Sequence, residues 1–325
     1  MKILILGAAG MLGRKLLARL AVEGLGGAAV TTAVLHDVVD PTPASQPFAV
    51  ECQAGDYAAP GAAAALVAGR PAVIFHLASI VSGEAEARFE EGYRVNLDGT
   101  RALLEAIRAL PDYRPRVVFA SSLAVFGAPC PEVVDDDYLC APSSSYGVQK
   151  AMVELLLADY SRRGFIDALA LRLPTVCVRP GRPNAALSGF LSSIMREPLK
   201  GEEAVLPVEE AMRVWIASPR AAVSYLLHAA SLDTGPLGAR RSLNMPGVSV
   251  TVGEQIAALR ARAGDRVAGL IRHAPDATVA RVVGSWPQRF DAARARALGF
   301  VGDVDFAEIL DAYIDEELGG RLPAL

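Results

Sequence analysis

The chain has 325 residues, with 52% apolar and 21% charged side chains, close to ordinary globular usage, which excludes a disordered chain. Its 32 Lys plus Arg against 36 Asp plus Glu leave a net charge of −4, without the basic excess of a nucleic-acid binder. Mean hydropathy is +0.30, yet apolar runs such as Ala62 to Ala68 fall short of the roughly 18 residues of a spanning helix, so no membrane segment is expected.

Lys2 to Leu6 is an apolar run, expected to form a strand buried on both faces. MKILILGAAGMLG resembles a short signal segment, but Gly7 and Gly10 break it and Arg14 and Lys15 follow. It reads better as a strand entering a helix over Gly10 to Glu23. Val30 to Leu35 and Phe48 to Cys52 are the next strands, and Ala58 to Gly69 a small helix. Ala72 to Leu77 is a strand, and Glu84 to Leu110 a long helix interrupted by turn-prone Gly92 and Gly99. Arg116 to Ser121 is a strand, Ser145 to Arg163 a helix, and Asp167 to Leu173 a strand stopped by Pro174. This alternation predicts an α/β, doubly wound parallel sheet with helices on both faces. Beyond Pro174 the rhythm changes, with Pro180, Gly181 and Pro183 clustered. The expected organisation is a dinucleotide-binding domain over 1–174 and a smaller α/β, mainly substrate-binding lobe over 175–325 that can cross back into the core. Asp291 and Gly299 read as the start and stop of a late helix. Four scattered cysteines without metal spacing point to a reducing, cytoplasmic setting and to no bound metal.

The segment Gly7-Ala-Ala-Gly10-Met11-Leu12-Gly13 lies between the first strand and first helix. Glycines there allow a tight turn and close backbone approach to a pyrophosphate, as in Rossmann-type dinucleotide sites. The free N–H groups of the helix start, at Met11 and Leu12, would face the phosphates. Asp37, at the end of the second strand, is suited to accept both adenosine ribose hydroxyls and to repel a 2′-phosphate, which favours NAD over NADP. Asp56 has two open readings: acceptor for the adenine amino group, or cap of the next helix.

Tyr146 and Lys150 stand at i and i+4, on one helix face. An ammonium there favours the phenolate, which can take a hydroxyl proton while hydride leaves the same carbon. Ser121 and Ser122 close the preceding strand, where a serine can hold the substrate oxygen. His76 has no second histidine near enough for a metal pair and reads as a packed strand-end residue.

GAAGMLG, His76-Leu-Ala78-Ser79, Asn96 within VNLDGT, FASSLAVFG and YGVQK together resemble the extended short-chain dehydrogenase/reductase superfamily, of sugar-nucleotide epimerase type. The resemblance implies NAD and a catalytic trio on Ser122, Tyr146 and Lys150. Ser122 is preferred to Ser121 because it stands four residues before Phe126-Gly127. It also implies that Asn96 helps order a water near Lys150, that Ala78 and Ser79 line the cofactor, and that Pro174 and Thr175 sit beside the nicotinamide. The family further implies a homodimer through the helices over Glu84 to Leu110 and Ser145 to Arg163.

Two departures narrow the activity. Dehydratases of this superfamily carry acids just after the serine; here Leu123 and Ala124 stand there, which argues against dehydration. The segment from Arg172 through Asn184 to Pro198 resembles the D-erythronate dehydrogenase-like branch, acting on small four-carbon sugar acids. A sugar-acid carboxylate suits arginine, and Arg179, Arg182 and Arg213 are the candidates, with Asn184 and Ser188 for hydroxyls. The expected reaction is NAD-dependent oxidation of a secondary alcohol of such an acid. The rivals are a nucleotide-sugar epimerase with tightly held NAD and a non-catalytic NAD-binding module.

Overall fold

Ile3, Leu4, Ile5 and Leu6 have no side-chain polarity to satisfy, and all four are fully buried in strand β1 (Lys2–Leu6). They sit at the centre of a seven-stranded sheet, in a computed structural model that describes residues 1–181 and 188–322. The chain divides into two units. Unit 1 comprises Met1–Val125, Ser144–Arg172 and Val223–Leu243; unit 2 comprises Phe126–Ser143, Leu173–Ala222 and Asn244–Leu325.

Around β1 the sheet is built from β2 (Thr32–Asp37), β3 (Ala49–Ala54), β4 (Val73–His76), β5 (Arg116–Ser122), β6 (Asp167–Leu173) and β10 (Ser242–Asn244). Its order is β10-β6-β5-β4-β1-β2-β3, the doubly wound arrangement expected from the alternating pattern. Parallel pairing joins β1 to β2 and β4, β2 to β3, and β4 to β5. The order reverses between β1 and β4, where ligands bind at the carboxyl ends of such sheets. Helices α1 (Met11–Glu23), α2 (Ala62–Val67), α5 (Thr100–Arg108) and α6 (Ser145–Arg162) cover it, and Leu103, Leu104, Ile107, Val153 and Leu157 are buried against it.

Three predicted helices differ from their expectation. The one expected over Ala58 to Gly69 begins only at Ala62, because Pro60 precedes Gly61 in a left-handed turn at φ +81°. The long helix over Glu84 to Leu110 is broken into α3 (Ser82–Ala87), α4 (Phe89–Gly92), a π-helix (Tyr93–Gly99) and α5. Its break falls at Arg88, whereas Gly92 and Gly99 are themselves helical. Those glycines admit neighbours: a Cβ on Gly92 would lie 2.9 Å from Gln149 Nε2, and one on Gly99 2.9 Å from Ala58 and Tyr57. The late helix, α12 (Ala293–Ala297), starts after Ala292, and Asp136 rather than Asp291 accepts from its Arg294 N–H at 2.8 Å.

In unit 2 a three-stranded sheet runs β11 (Val248–Thr251), β9 (Arg213–Ala217), β7 (Thr175–Val176), and a two-stranded sheet pairs β8 (Ala204–Leu206) with β12 (Ile271–His273). Helices α7 (Gly189–Arg196), α9 (Val252–Ala263) and α13 (Phe306–Leu318) bury Met195, Leu259 and Leu310 in one core. Helix α8 (Pro219–Ser231), the short α10 (Asp265–Ala268) and α11 (Ala277–Gly284) complete the described elements. Among the described residues no helix is long and apolar enough to cross a membrane.

Candidate active site

The glycine-rich loop leaves β1 at the sheet's switch point. Gly7 has φ +84°, and a Cβ there would meet the backbone nitrogen of Ala78 at 2.7 Å. Any side chain at Gly7 would therefore push the β1 and β4 loops apart. A Cβ on Gly13 would meet Gly7 O at 2.4 Å, so helix α1 can lie against the loop only with glycine there. The N–H groups of Gly7 and Ala8 donate to His36 O at 2.9 and 3.1 Å, and Ala9 N–H donates to Asp37 Oδ2 at 2.9 Å. Gly10, the cap of α1, brings no side chain, and the first turn holds no acid, so the N–H groups at Met11 and Leu12 face a neutral, backbone-lined cradle. Such a cradle, which a Cβ would fill, fits a dinucleotide pyrophosphate at a helix N-terminus. Asp56 accepts from Ala58 N–H at 2.9 Å and from Arg94 at 2.6 Å, so both its oxygens are tied to the chain.

At the end of β4, the Asn96 side chain joins two segments. Its Oδ1 accepts from Ile80 N–H at 2.8 Å and Ser79 Oγ at 3.0 Å; its Nδ2 donates to Ile80 O at 3.0 Å and Gln149 Oε1 at 2.7 Å. Asn96 is 3% exposed and belongs to the π-helix, a form that marks functional positions in many proteins. It is thus a buried clamp rather than a surface amide, and no direct bond links it to Lys150 among the described residues.

Helix α6 carries Tyr146 and Lys150. Ser144 caps it, accepting from Gly147 N–H at 3.2 Å, and Glu86 accepts from Ser145 N–H at 2.9 Å, a carboxylate at the positive helix end. Tyr146 is half-buried, with its ring centre 5.4 Å from Lys150 Nζ. Lys150 is buried; its Nζ donates to Ala120 O at 2.8 Å and stands 4.4 Å from the Phe119 ring centre. Burial pushes the ammonium down to about 7, while the Glu154 carboxylate one turn on holds it up.

The two serines separate cleanly. Ser121 is buried and donates to Glu154 Oε1 at 2.5 Å. Glu154 is in turn bound by Arg172, at 2.8 Å from Nη2. Ser122 is half-buried at the strand end, where its Oγ accepts only the Ala124 N–H at 3.1 Å among the bonds seen, leaving its proton to donate. A pair of substitutions tests this. Ser122→Ala should lower turnover by about 10- to 100-fold with little loss of stability, since one transition-state hydrogen bond goes. Ser121→Ala should instead lower stability by about 1–2 kcal/mol, because Glu154 is left short of a donor, with kinetics near those of the parent. Steady-state rates and urea unfolding on both variants decide; the reverse pattern would move the catalytic role to Ser121.

In unit 2, Pro174 is buried between β6 and β7, and Thr175 pairs with Ile216 of β9. Arg179 is fixed from several sides: its N–H donates to Ser192 Oγ at 3.0 Å, its carbonyl accepts from buried Arg196 at 2.8 Å, and its guanidinium donates to Ser188 Oγ at 2.7 Å. Arg213 donates to Ser249 O at 3.1 Å and lies 3.6 Å from the Glu254 carboxylate. Arg182 and Asn184 lie outside the described residues. Sequence reasoning did not single out Gln149 or Glu154. The i+4 spacing of Glu154 from Lys150 was the available signal.

The model of the NAD dependent epimerase/dehydratase family matches residues 3–236, and the chain belongs to that family. It is an NAD-dependent oxidoreductase on a Rossmann-type fold. The D-erythronate dehydrogenase of Cupriavidus necator is 47% identical over 97% of this chain and 98% of its own length. That of Haemophilus influenzae is 40% identical over 98% of this chain and 100% of its own. Among solved structures, the nucleoside-diphosphate-sugar epimerase from Agrobacterium tumefaciens superposes with a TM-score of 0.97 at 55% identity, covering 99% of this chain and 96% of that one.

Proposed function

We propose that this protein oxidises the C2 hydroxyl of D-erythronate, a small sugar acid, to 2-oxo-erythronate with NAD. The reading rests first on Ser122, the one of the two strand-end serines whose proton Glu154 does not take up, followed by Leu123 and Ala124 rather than acids. A strand end of that kind supports hydride removal and offers no acid to expel a hydroxyl. The substrate follows from the two D-erythronate dehydrogenases, which match over nearly their full lengths.

Bound NAD supplies the hydride acceptor. Gly7, Gly10, Met11, Leu12 and Gly13 would hold its pyrophosphate, Asp37 the adenosine ribose, and Ala78, Ser79, Lys150, Pro174 and Thr175 the nicotinamide half. The bonds from Ala58 and Arg94 tie Asp56 into the turn before α2, whose cap is Gly61, so Asp56 is not the cap of that helix. Ser122 Oγ orients the substrate hydroxyl. Tyr146 Oη, as phenolate, takes the hydroxyl proton as the carbonyl forms, and the Lys150 ammonium stabilises that phenolate. Arg179, Arg182 and Arg213 are the candidates for the substrate carboxylate, and Glu254 lies 3.6 Å from Arg213. Ser188 then serves Arg179 or a substrate hydroxyl.

The test mixes the protein with NAD or NADP and a panel of aldonic acids, following NADH absorbance. Turnover of D-erythronate with NAD, and far less with NADP, is the expected result. No turnover of any four- or five-carbon acid overturns the substrate. NAD carried through purification with no net NADH release would favour the epimerase reading, which the Agrobacterium relative's description raises.

The enzyme is placed in the cytoplasm, as a homodimer through the helical stretch over 84–110 and through α6. Phe89 is 56% exposed, and on α6 Leu155 is 74% exposed with Met152 one turn back on the same face, so both helices present apolar side chains to solvent. A monomer by sedimentation at micromolar concentration would remove the dimer.

A further inference from the structure

His76 opens the His76-Leu-Ala78-Ser79 motif, and the chemistry above gives it no role. It is 1% exposed, and its Nε2 lies 2.9 Å from Thr100 Oγ1. That hydroxyl also lies 2.8 Å from Asn96 O. A carbonyl can only accept, so the single Thr100 proton goes to Asn96 O. His76 must then donate from Nε2, which fixes its neutral tautomer. Burial, reinforced by the Lys150 charge, pushes its imidazole down to about 3, so it stays neutral at any working pH.

We infer that His76 is a positioning residue: through Thr100 it locks the π-turn whose Asn96 clamps the Ser79–Ile80 loop to Gln149, the residue before Lys150. The inference rests on the dehydrogenase reading for the meaning of Lys150 and Ser79. A π-turn displaces carbonyls from the regular helical ladder. Two hydroxyls meet them here: Tyr57, from outside the helix, donates to Val95 O, and Thr100, at the turn's own end, to Asn96 O. The His76 ring stands edge-on to Tyr57 at 5.4 Å and to Phe119 at 5.3 Å, so it cannot turn without moving both. Phe119 carries Lys150 Nζ on its face. One small cluster therefore touches the π-turn on one side and the catalytic lysine on the other. A histidine that merely filled space would be replaceable by leucine; one that donates from Nε2 would be replaceable only by another neutral donor of similar reach, such as glutamine.

Thr100→Val keeps the shape and removes the hydroxyl; Thr100→Ser keeps it. His76→Leu and His76→Gln make the same comparison one step back. For Thr100→Val and His76→Leu, the NAD dissociation constant should rise and kcat fall, each by about tenfold, with KM for the sugar acid nearly unchanged. Thr100→Ser and His76→Gln should restore most of that loss. The double variant His76→Leu/Thr100→Val should be no worse than either single one, since both break the same link. Lower thermal stability with unchanged NAD affinity and kcat in Thr100→Val would reduce the cluster to packing and overturn the inference. So would His76→Gln as impaired as His76→Leu. If His76→Leu does not fold, the Thr100 pair still decides. If the parent enzyme turns over no sugar acid, the substrate reading fails on its own. NAD titration of the four variants, and the nitrogen chemical shifts of His76, then still test the latch.

Discussion

Tyr146→Phe should lower kcat on D-erythronate by at least ~100-fold and leave NAD affinity within a factor of about three. The substitution removes one oxygen and keeps the ring. The ring's contact with the Lys150 ammonium, 5.4 Å from its centre, survives. Helix α6 keeps its start, because Ser144 and Glu86 hold the first turn. The glycine cradle and Asp37 are distant in sequence and held by their own bonds to His36 O and Ala9. Only the proton acceptor is lost, so binding and chemistry should part company. Initial rates of NADH formation and a separate NAD titration read the two effects independently. A fully active variant would remove Tyr146 as the base. Equal losses in NAD affinity and kcat would instead mean that the hydroxyl holds the cofactor and does not act as the base.

The parts of the fold legible in the sequence were those set by local rules. β1 was readable because its short apolar run, bounded by Gly7 and Gly10, is too short for a helix, and the structure gives Gly7 the positive φ that a tight turn there needs. β6 emerged with the expected limits because Pro174 stops it. The interrupted helix was half-read. Gly92 and Gly99 were visible as anomalies, but a glycine that turns the chain and a glycine that admits a neighbour look alike in one dimension. Only the approach of Gln149 and Tyr57 tells them apart. The π-turn has no complete local signature either, since the Val95 carbonyl is met by Tyr57, which is remote in the chain.

The same logic divides the site. Tyr146 and Lys150 were readable from one helical turn. The choice between Ser121 and Ser122 needed the family's spacing, and the structure adds a physical reason: Glu154 takes up Ser121. Asn96 was visible through its family motif and its burial was not, because the residues it joins, Ser79-Ile80 and Gln149, come from two stretches well apart from it in the chain. Nothing local to Arg213 shows that Glu254 stands beside it. Arginines on loops take their meaning from partners far along the chain, and composition carries none of that.

Lys150→Met should abolish turnover and make the protein more stable, by about 1–3 kcal/mol below neutral pH. The lysine is buried, and its ammonium is pushed from the ordinary 10.5 down to about 7. Between those two values the unfolded chain binds a proton that the folded chain does not, so stability rises with pH across that window. Below about 7 the lysine is charged in both states, and the fold bears the whole cost of burying it. Above 10.5 it is neutral in both, and the cost is gone. Methionine fills similar volume without charge. The stability gap between Lys150→Met and the parent should therefore be widest in mild acid and shrink as pH rises toward 10.5. Against this stands the lost bond to Ala120 O, about 1 kcal/mol in favour of the parent, while the contact with the Phe119 face acts only on the charged ammonium and belongs to its titration. The lost bond lowers the whole curve without tilting it. Groups distant from Lys150 are common to both proteins and cancel in the difference; His76 and Glu154, which feel its charge, do not. Urea unfolding of both, at about pH 6 and about pH 9.5, measures the tilt directly. A gap that is flat or widens with pH would mean that burial does not depress Lys150, and that the ammonium sits in the fold at no expense. A shrinking gap would show that this fold keeps a buried charge at a net loss in stability, and the accompanying loss of turnover would say what it is kept for.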